Sequence, residues 1–367
     1  MRYVLIEDWP FSFRFSIAEN WGDPNVAIQV WIGIAILVIA AGVVLLSKSL
    51  KWNKMLQVGI PLALLMGSLA VALPPLAVDA YPETFRKIPI PFDAHSIANG
   101  SKLYAENCVT CHGHQGKGNG ILSRTLTTFL PDMLTEQHVE EHTPGDFYHW
   151  ISYGMKDTDM SGFADKLSEA DRWDLVNFFH ALSRGYRSRI LTTEIVPNKP
   201  YVASPSFSYT AHNGKSSTMQ NSINKKVMLL VIFSWPQSQA RLEQLKQAHG
   251  NLSGKDLTVL IVPKDGVAAK EIARFASDFP FPLVIQNASE ITSSYALFRR
   301  TLSHPDLFGK GVIPDHMEFL IDRYGYLRAR WIPLEGKLGW ENLDMLTQQI
   351  TQLNQEKEIL PPEVYVR

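Results

Sequence analysis

Two cysteines occur in 367 residues, and both lie in one five-residue run, Cys108-Val109-Thr110-Cys111-His112. This run constrains the chain more than any other feature. With no third cysteine, a disulfide scaffold, a multi-cysteine zinc cluster and a cysteine-held iron–sulfur cluster are excluded. A C-x-x-C-H run is the attachment signature of a c-type haem. Two thiols three positions apart reach the two vinyl groups of one porphyrin, and His112 then lies under the iron as proximal ligand. A redox-active cysteine pair would need a preceding strand, whereas residues 94–107 read as a helix. A zinc site would need two further soft ligands at matched spacing. The run predicts one covalently bound haem c, attached through Cys108 and Cys111. Attachment of this group takes place outside the cytoplasm.

The apolar residues are unevenly spread. Residues 26–46 read VAIQVWIGIAILVIAAGVVLL, with Gln29 as the one strongly polar side chain. A helix of that length spans ~30 Å, the thickness of a bilayer's hydrocarbon core. A second run, 55–78, carries Pro61 but no charge. Between them, SKSLKWNK holds Lys48, Lys51 and Lys54 and no acid. The positive-inside rule places that loop in the cytoplasm. Residues 1–25 and everything after 78 then face outward, in agreement with the haem motif. The expected location is the plasma (inner) membrane, with two spans in contact with lipid and the soluble parts on the periplasmic side. A cleaved signal peptide does not fit, because the first 25 residues are aromatic and acidic and the apolar run starts late. Gly59, Ala63 and Gly67 fall on one face of the second span, where a backbone can approach closely. Their partner is either the first span or a helix of another subunit. Prolines at 74, 75, 82, 89 and 91 then make 79–92 a stiff connector. The mean hydropathy of −0.06 averages this stem with a polar-surfaced remainder. With 46% apolar and 19% charged residues the chain is not disordered. A net charge of −1 gives no electrostatic case for nucleic acid.

Residues 93–184 form the next segment. Asp93 is placed to cap a helix reaching Asn107, with Ile97, Gly100, Leu103 and Tyr104 on one face. Gly113, Gly116, Gly118 and Gly120 make a flexible loop after the haem motif. Ser168 is an N-cap candidate for a helix reading EADRWDLVNFFHALS. This segment resembles the class I cytochromes c. The resemblance implies that an N-terminal helix crosses a C-terminal one, here through Gly100, Tyr104 and the Trp173–Phe179 region. It also implies a distal methionine in a loop before the last helix, often as Met-Pro-x-Phe. The run from Gly154 to Phe163 (GMKDTDMSGF) is similar to that loop, with Ser161 in place of the proline. In that register Met160 is the sixth ligand and Met155 a packing residue and the fallback; Met133 is a third candidate. His114, His138, His142 and His149 read as solvated loop residues. A thioether ligand stabilises ferrous iron and raises the potential. With both axial positions filled, the implied role is a single-electron carrier and not an oxygen activator. The segment has more acids than bases, which suits a redox partner with a basic patch as well as ordinary solvated charge.

Residues 185–202 read as a linker, and from 203 strands and helices alternate. Strands are expected at 226–233 (KVMLLVIF), 257–263 (LTVLIVP), 281–285, 318–322 and 326–331, and helices at 237–248, 267–277 and 340–352. Strand–helix–strand, helix, hairpin, helix is thioredoxin-like order. The run Ser204-Pro205-Ser206-Phe207 with Asn213-Gly214-Lys215 resembles the N-terminal hairpin of the peroxiredoxin, thiol-reductase and Sco-type copper-chaperone branch. That branch places two cysteines just after the first long strand. Here the position reads Ser234-Trp235-Pro236-Gln237-Ser238-Gln239. Without a thiolate there is no disulfide exchange and no peroxidatic attack. Of the Sco copper ligands, only His316 has a counterpart, which argues against copper. Pro314 stands where this fold carries a cis-proline. Residues 203–357 are expected to be a noncatalytic docking or structural domain, and 358–367 a tail. The Trp9-to-Phe15 run and the Leu73-to-Pro82 run resemble the end of a CopD-type copper-resistance membrane protein.

The expected architecture is multi-domain: two transmembrane α-helices, an all-α cytochrome c domain and an α/β thioredoxin-like domain. Two function classes follow. One is a membrane-tethered electron carrier, serving as subunit or partner of a membrane redox complex. The other is a copper-homeostasis or client-binding protein in which the haem is accessory or a sensor. No Ser/His/Asp, paired-carboxylate or phosphate-loop constellation points to an independent enzyme.

Overall fold

A computed structural model describes residues 13–15, 24–50, 52–134, 139, 142–199, 202–264, 279–302, 313–333 and 339–358. The expected helix at 267–277 and His138 lie outside them. The chain divides into two compact units, Met1–Lys87 with Glu141–Trp150, and Ile88–Glu140 with Ile151–Arg367.

In the first unit the two apolar runs form helices α1 (Pro24–Ser49) and α2 (Lys54–Ala72). Asn53 starts α2 by accepting from the Leu56 N–H at 2.9 Å. Both helices are long and apolar enough to cross a membrane. They meet where Gly33 offers no side chain: a Cβ there would crowd that of Ala72, and the Ser68 hydroxyl donates to the Gly33 carbonyl at 2.8 Å. The Gly59–Gly67 stripe takes no part in this pairing, since a Cβ at either glycine would meet nothing within 4 Å. α2 stops six residues before the end of the apolar run, because Pro74 and Pro75 cannot continue it. The chain instead makes a 3-10 turn, Pro74–Leu76, and enters strand β2 (Ala77–Asp79). β2 pairs antiparallel with β1 (Phe13–Phe15). A second 3-10 turn, Pro82–Phe85, interrupts the connector. His149, expected in solvent, is held here instead: its ring stacks on Tyr81 at 3.7 Å and its Nδ1 lies 2.9 Å from Glu83 Oε2.

The second unit begins with α3 (Ala94–Asn107), whose Asp93 cap accepts from the Ser96 N–H at 2.9 Å. The single turn α4 (Val109–His112) follows, then α5 (Pro144–Tyr153), whose residues up to Trp150 belong to the first unit, and α6 (Glu169–Arg187). Ser168 and Asp171 form a capping box at the start of α6. α3 crosses α6 at Gly100, where a Cβ would collide with the Asp174 carbonyl. Beside the crossing, the Tyr104 ring packs on Phe178 and Phe179 at 5.2 and 5.9 Å. The contact is also polar. Ser96 and Asn99 donate to Asp174 at 2.6 and 2.7 Å, and Asn177 donates to Ser96 Oγ at 2.9 Å. α6 runs to Arg187, three residues into the segment read as a linker, because the backbone at Leu297 packs directly on Gly185.

The α/β part contains β3 (Val202–Ala203), β4 (Ser208–Ala211), β5 (Ser216–Thr218), β6 (Val227–Phe233), α7 (Gln239–Gln247), α8 (His249–Ser253) and β7 (Leu257–Pro263). It continues with β8 (Val284–Gln286), α9 (Ala288–Ala296), β9 (His316–Ile321), β10 (Tyr326–Trp331) and α10 (Leu343–Gln355). The main sheet has the order β3-β10-β9-β6-β7, with β6 and β7 parallel and β9 and β10 an antiparallel hairpin. Every residue of β6 is buried, as an apolar run without alternation requires. One face packs on Leu242, Leu245, Trp340 and Ile350. This is the strand–helix–strand, hairpin, helix topology expected of a thioredoxin-like domain. β4 and β5 form the hairpin that the resemblance implied around Asn213–Lys215, and β8 overlaps the strand expected at 281–285; their joining into a separate sheet, β5-β4-β8, and helix α9 were not expected. α9 packs on α3, with His95 Nδ1 2.9 Å from Glu290 Oε1, and Ala94 N–H donates to the Ser206 carbonyl at 2.8 Å. The Ile313–Pro314 bond is not among the cis bonds; Trp235–Pro236 is.

Candidate haem site

α3 ends at Cys108, whose N–H donates to the Tyr104 carbonyl at 2.9 Å. The next residues complete one turn, with Cys111 and His112 N–H both directed at the Cys108 carbonyl at 3.2 and 2.9 Å. Gly113, at φ +75°, ends it. Cys108, Cys111 and His112 therefore share a single turn. The glycine loop that follows is pinned, against the expectation of flexibility. Gly118 N–H donates to the His112 carbonyl, Gly120 N–H to Cys111 and Leu122 N–H to Thr110, at 2.9–3.0 Å. A Cβ at Gly120 would collide with the Thr110 and Cys111 carbonyls, so the close return needs glycine. Tyr104 Oη, buried in the helix crossing, donates to the Gly113 carbonyl at 2.7 Å.

Both thiols are free. Burial, with Cys111 beside it, pushes the Cys108 thiol up to about 12. Burial also lowers the pKa of His112, keeping the imidazole neutral as a metal ligand must be. Its Nδ1 is buried with no hydrogen-bond partner. Nearby in sequence, Ile121 and Phe129 leave 82% and 93% of their surface uncovered. Paired thiols, a neutral imidazole and uncovered apolar side chains suit a covalently held haem.

The methionines separate by environment. Met133 is buried, its side chain beside Gly116 and Leu182. Met155 is exposed and Met160 half-buried. The last two bracket a tight turn, closed by a bridge between Gly154 and Ser161 and by Met155 N–H donating to the Met160 carbonyl at 3.1 Å. Asp157 takes φ +60° within it. Asp159 Oδ2 accepts from both the N–H and the hydroxyl of Thr127, at 2.8 and 2.9 Å. These bonds hold its carboxyl below the usual range. Nothing in the sequence signals this tie, which joins two polar loop residues far apart in the chain. His114 is exposed as expected. His142 stands edge-on to Trp150 at 4.7 Å.

In the α/β part, the position of the missing cysteines holds a closed polar cluster. His316 Nδ1 lies 3.0 Å from Ser238 Oγ, and its Nε2 lies 2.8 Å from Glu318 Oε1. Arg241 grips Glu318 with both arms, at 2.7 and 2.9 Å. Burial would raise the Glu318 carboxyl, but Arg241 and His316 bring it down to about 2. Ser234 Oγ donates to Asp315 Oδ1 at 3.1 Å, and Lys264 Nζ donates to the same oxygen at 3.1 Å. A signal for the cluster was present in the sequence: His316 and Glu318, two apart on a strand, point to one face.

Residues 97–183 match the model of the cytochrome c family. The chain thus contains a cytochrome c domain, and that family implies a covalently bound haem c and electron transfer. No curated protein matches the chain. Among solved structures, the chain is similar to a thiol:disulfide interchange protein of the thioredoxin family from Chlorobium tepidum TLS. The two are 13% identical over 41% of this chain and 97% of that one, with a TM-score of 0.33. The mitochondrial 2-cys peroxiredoxin from Plasmodium falciparum is 12% identical over 44% and 98%, also at 0.33. BsSco, of the Sco family of cytochrome c oxidase assembly proteins, is 15% identical over 44% and 99%, again at 0.33. At these scores the fold assignment rests on the strand order of the main sheet.

Proposed function

We propose that the chain is a membrane-tethered c-type cytochrome that carries single electrons on the extracytoplasmic side, as a subunit or partner of a membrane redox complex. The observation that carries this reading is the single turn at 108–112, which brings Cys108, Cys111 and the imidazole of His112 together. Cys108 and Cys111 would attach the haem, and His112 and Met160 would hold its iron, with Met155 as the fallback. When bound, haem c supplies an iron couple that exchanges one electron. The chain's own work is to hold the ligands and limit water. The α3–α6 crossing fixes the start of the motif turn, the pinned loop returns to its carbonyls, and a thioether donor favours the reduced state. α1 and α2 tether the domain, with the lysine loop between them in the cytoplasm.

The thioredoxin-like domain is read as a docking or structural module. Both ring nitrogens of His316 are engaged and Arg241 brings a positive charge to the same cluster, which weighs against a copper ion there. The test is a redox titration of the detergent-solubilised chain with haem in place, followed by carbon monoxide. A single one-electron step and slow binding of carbon monoxide to the reduced protein are expected. Rapid, stoichiometric binding would instead indicate an open iron position and a ligand-binding or sensing role.

A further inference from the structure

We propose that Asp159 and Thr127 form a clamp that positions Met160, an inference that rests on reading Met160 as the distal ligand. The turn carrying Met160 lacks the proline of the family it resembles; Ser161 stands there. Proline restrains φ, so a chain without it needs another constraint to hold a ligand loop in one conformation. The base of the turn is fixed to α5, with Phe163 N–H donating to the Ile151 carbonyl at 2.9 Å and Ala164 N–H to Ser152 at 3.0 Å. Inside it, Thr158 braces the backbone: its hydroxyl donates to the Met155 carbonyl at 2.8 Å and accepts from Met160 N–H at 3.2 Å. These bonds shape the turn but do not connect it to the haem motif.

Asp159 makes that connection. One carboxylate oxygen takes two hydrogens from Thr127, one from the backbone and one from the side chain. Thr127 lies two residues beyond a short 3-10 turn, Ser123–Thr125, whose preceding residue Leu122 is bonded to Thr110 inside the motif. A continuous set of bonds therefore runs from the turn bearing Cys108, Cys111 and His112, through Leu122 and Thr127, to the residue next to Met160. The two ligand-bearing segments are positioned against each other by the chain itself. Asp159 is a positioning residue, with no claim to touch the iron.

The experiment uses the full-length, haem-loaded protein and two spectroscopic readouts. These are the near-infrared methionine–iron band of the oxidised form and the rate of carbon monoxide binding to the reduced form. Asp159→Ala is expected to keep its covalent haem but to bind carbon monoxide about tenfold faster, the scale of one charge-assisted hydrogen bond. Its near-infrared band should fade at a lower pH than in the wild type. Asp159→Asn keeps an acceptor oxygen for both Thr127 donors and should restore most of the wild-type behaviour. Thr127→Val removes the hydroxyl alone and should shift both readouts less, in the same direction. If Asp159→Ala and Thr127→Val match the wild type while Met160→Ala abolishes the band, the clamp is overturned and the ligand assignment stands. If Met160→Ala leaves the band unchanged, the ligand assignment falls and the clamp with it.

Discussion

The turn at 108–112 and the polar cluster around 234–238 and 316–318 stand where two different redox folds keep their chemistry, yet they are finished to different degrees. At the first, two thiols are free and His112 Nδ1 is buried without a partner. At the second, His316 is bonded through both nitrogens and Glu318 is gripped by Arg241. Buried polar groups in proteins are ordinarily satisfied, and those of this cluster are bonded to one another. At 108–112, two cysteines and a histidine share one turn in the pattern of the cytochrome c family. The contrast is between a turn with the cytochrome c attachment pattern and a polar cluster whose charged and hydroxyl groups bond one another.

The largest effect should come from opening the first region. Replacing both Cys108 and Cys111 with Ala removes both attachment points; haem staining of a denaturing gel should fall to near zero. The same stain on Arg241→Met should match the wild type. If the double variant kept covalent haem, the contrast would collapse. Arg241→Met should act on stability instead. It leaves Glu318 buried without its guanidinium, at a cost of about 3–5 kcal/mol in denaturant unfolding followed by tryptophan fluorescence. The pH profile should change sign as well. In the wild type the folded Glu318 carboxyl lies near 2, below its ordinary 4.5. Its contribution is then complete above pH 4.5 and is lost as pH falls toward 2. In Arg241→Met burial dominates, the folded carboxyl titrates above its ordinary value, and stability falls as pH rises through that range. The smallest effect should be that of Ser234→Ala. Asp315 keeps its bond from Lys264, so a loss of about 1 kcal/mol or less is expected, with no change in haem content.

Local signals were legible where the chain itself supplies them. Asp93 and Ser168 announce helix starts through their own side chains, and the structure finds both caps in use. The unbroken apolar runs of β6 and β7 mark central strands, because a strand buried on both faces has no polar positions to alternate. Gly100 and Tyr104 show their role through spacing and size, and the crossing runs through them. The failures have physical reasons too. The second apolar run does not remain helical to its end, since Pro74 and Pro75 override its hydropathy. α9 drew no expectation, because its serines hide the buried pair Ile291 and Tyr295. The pinning of the glycine loop and the Thr127–Asp159 tie depend on residues that meet only after folding. The partner of the Gly59–Gly67 face was open in the sequence, and the pairing through Gly33, Ser68 and Ala72 shows that α1 does not supply it.

The central claim is that the motif turn and the Met160 turn together make a six-coordinate haem c site built to carry electrons. The most direct measurement is the near-infrared spectrum of the oxidised, haem-loaded full-length protein beside that of Met160→Ala. A methionine–iron band in the wild type that disappears in the variant is the predicted result. A wild type without that band, or a variant that retains it, would contradict the claim.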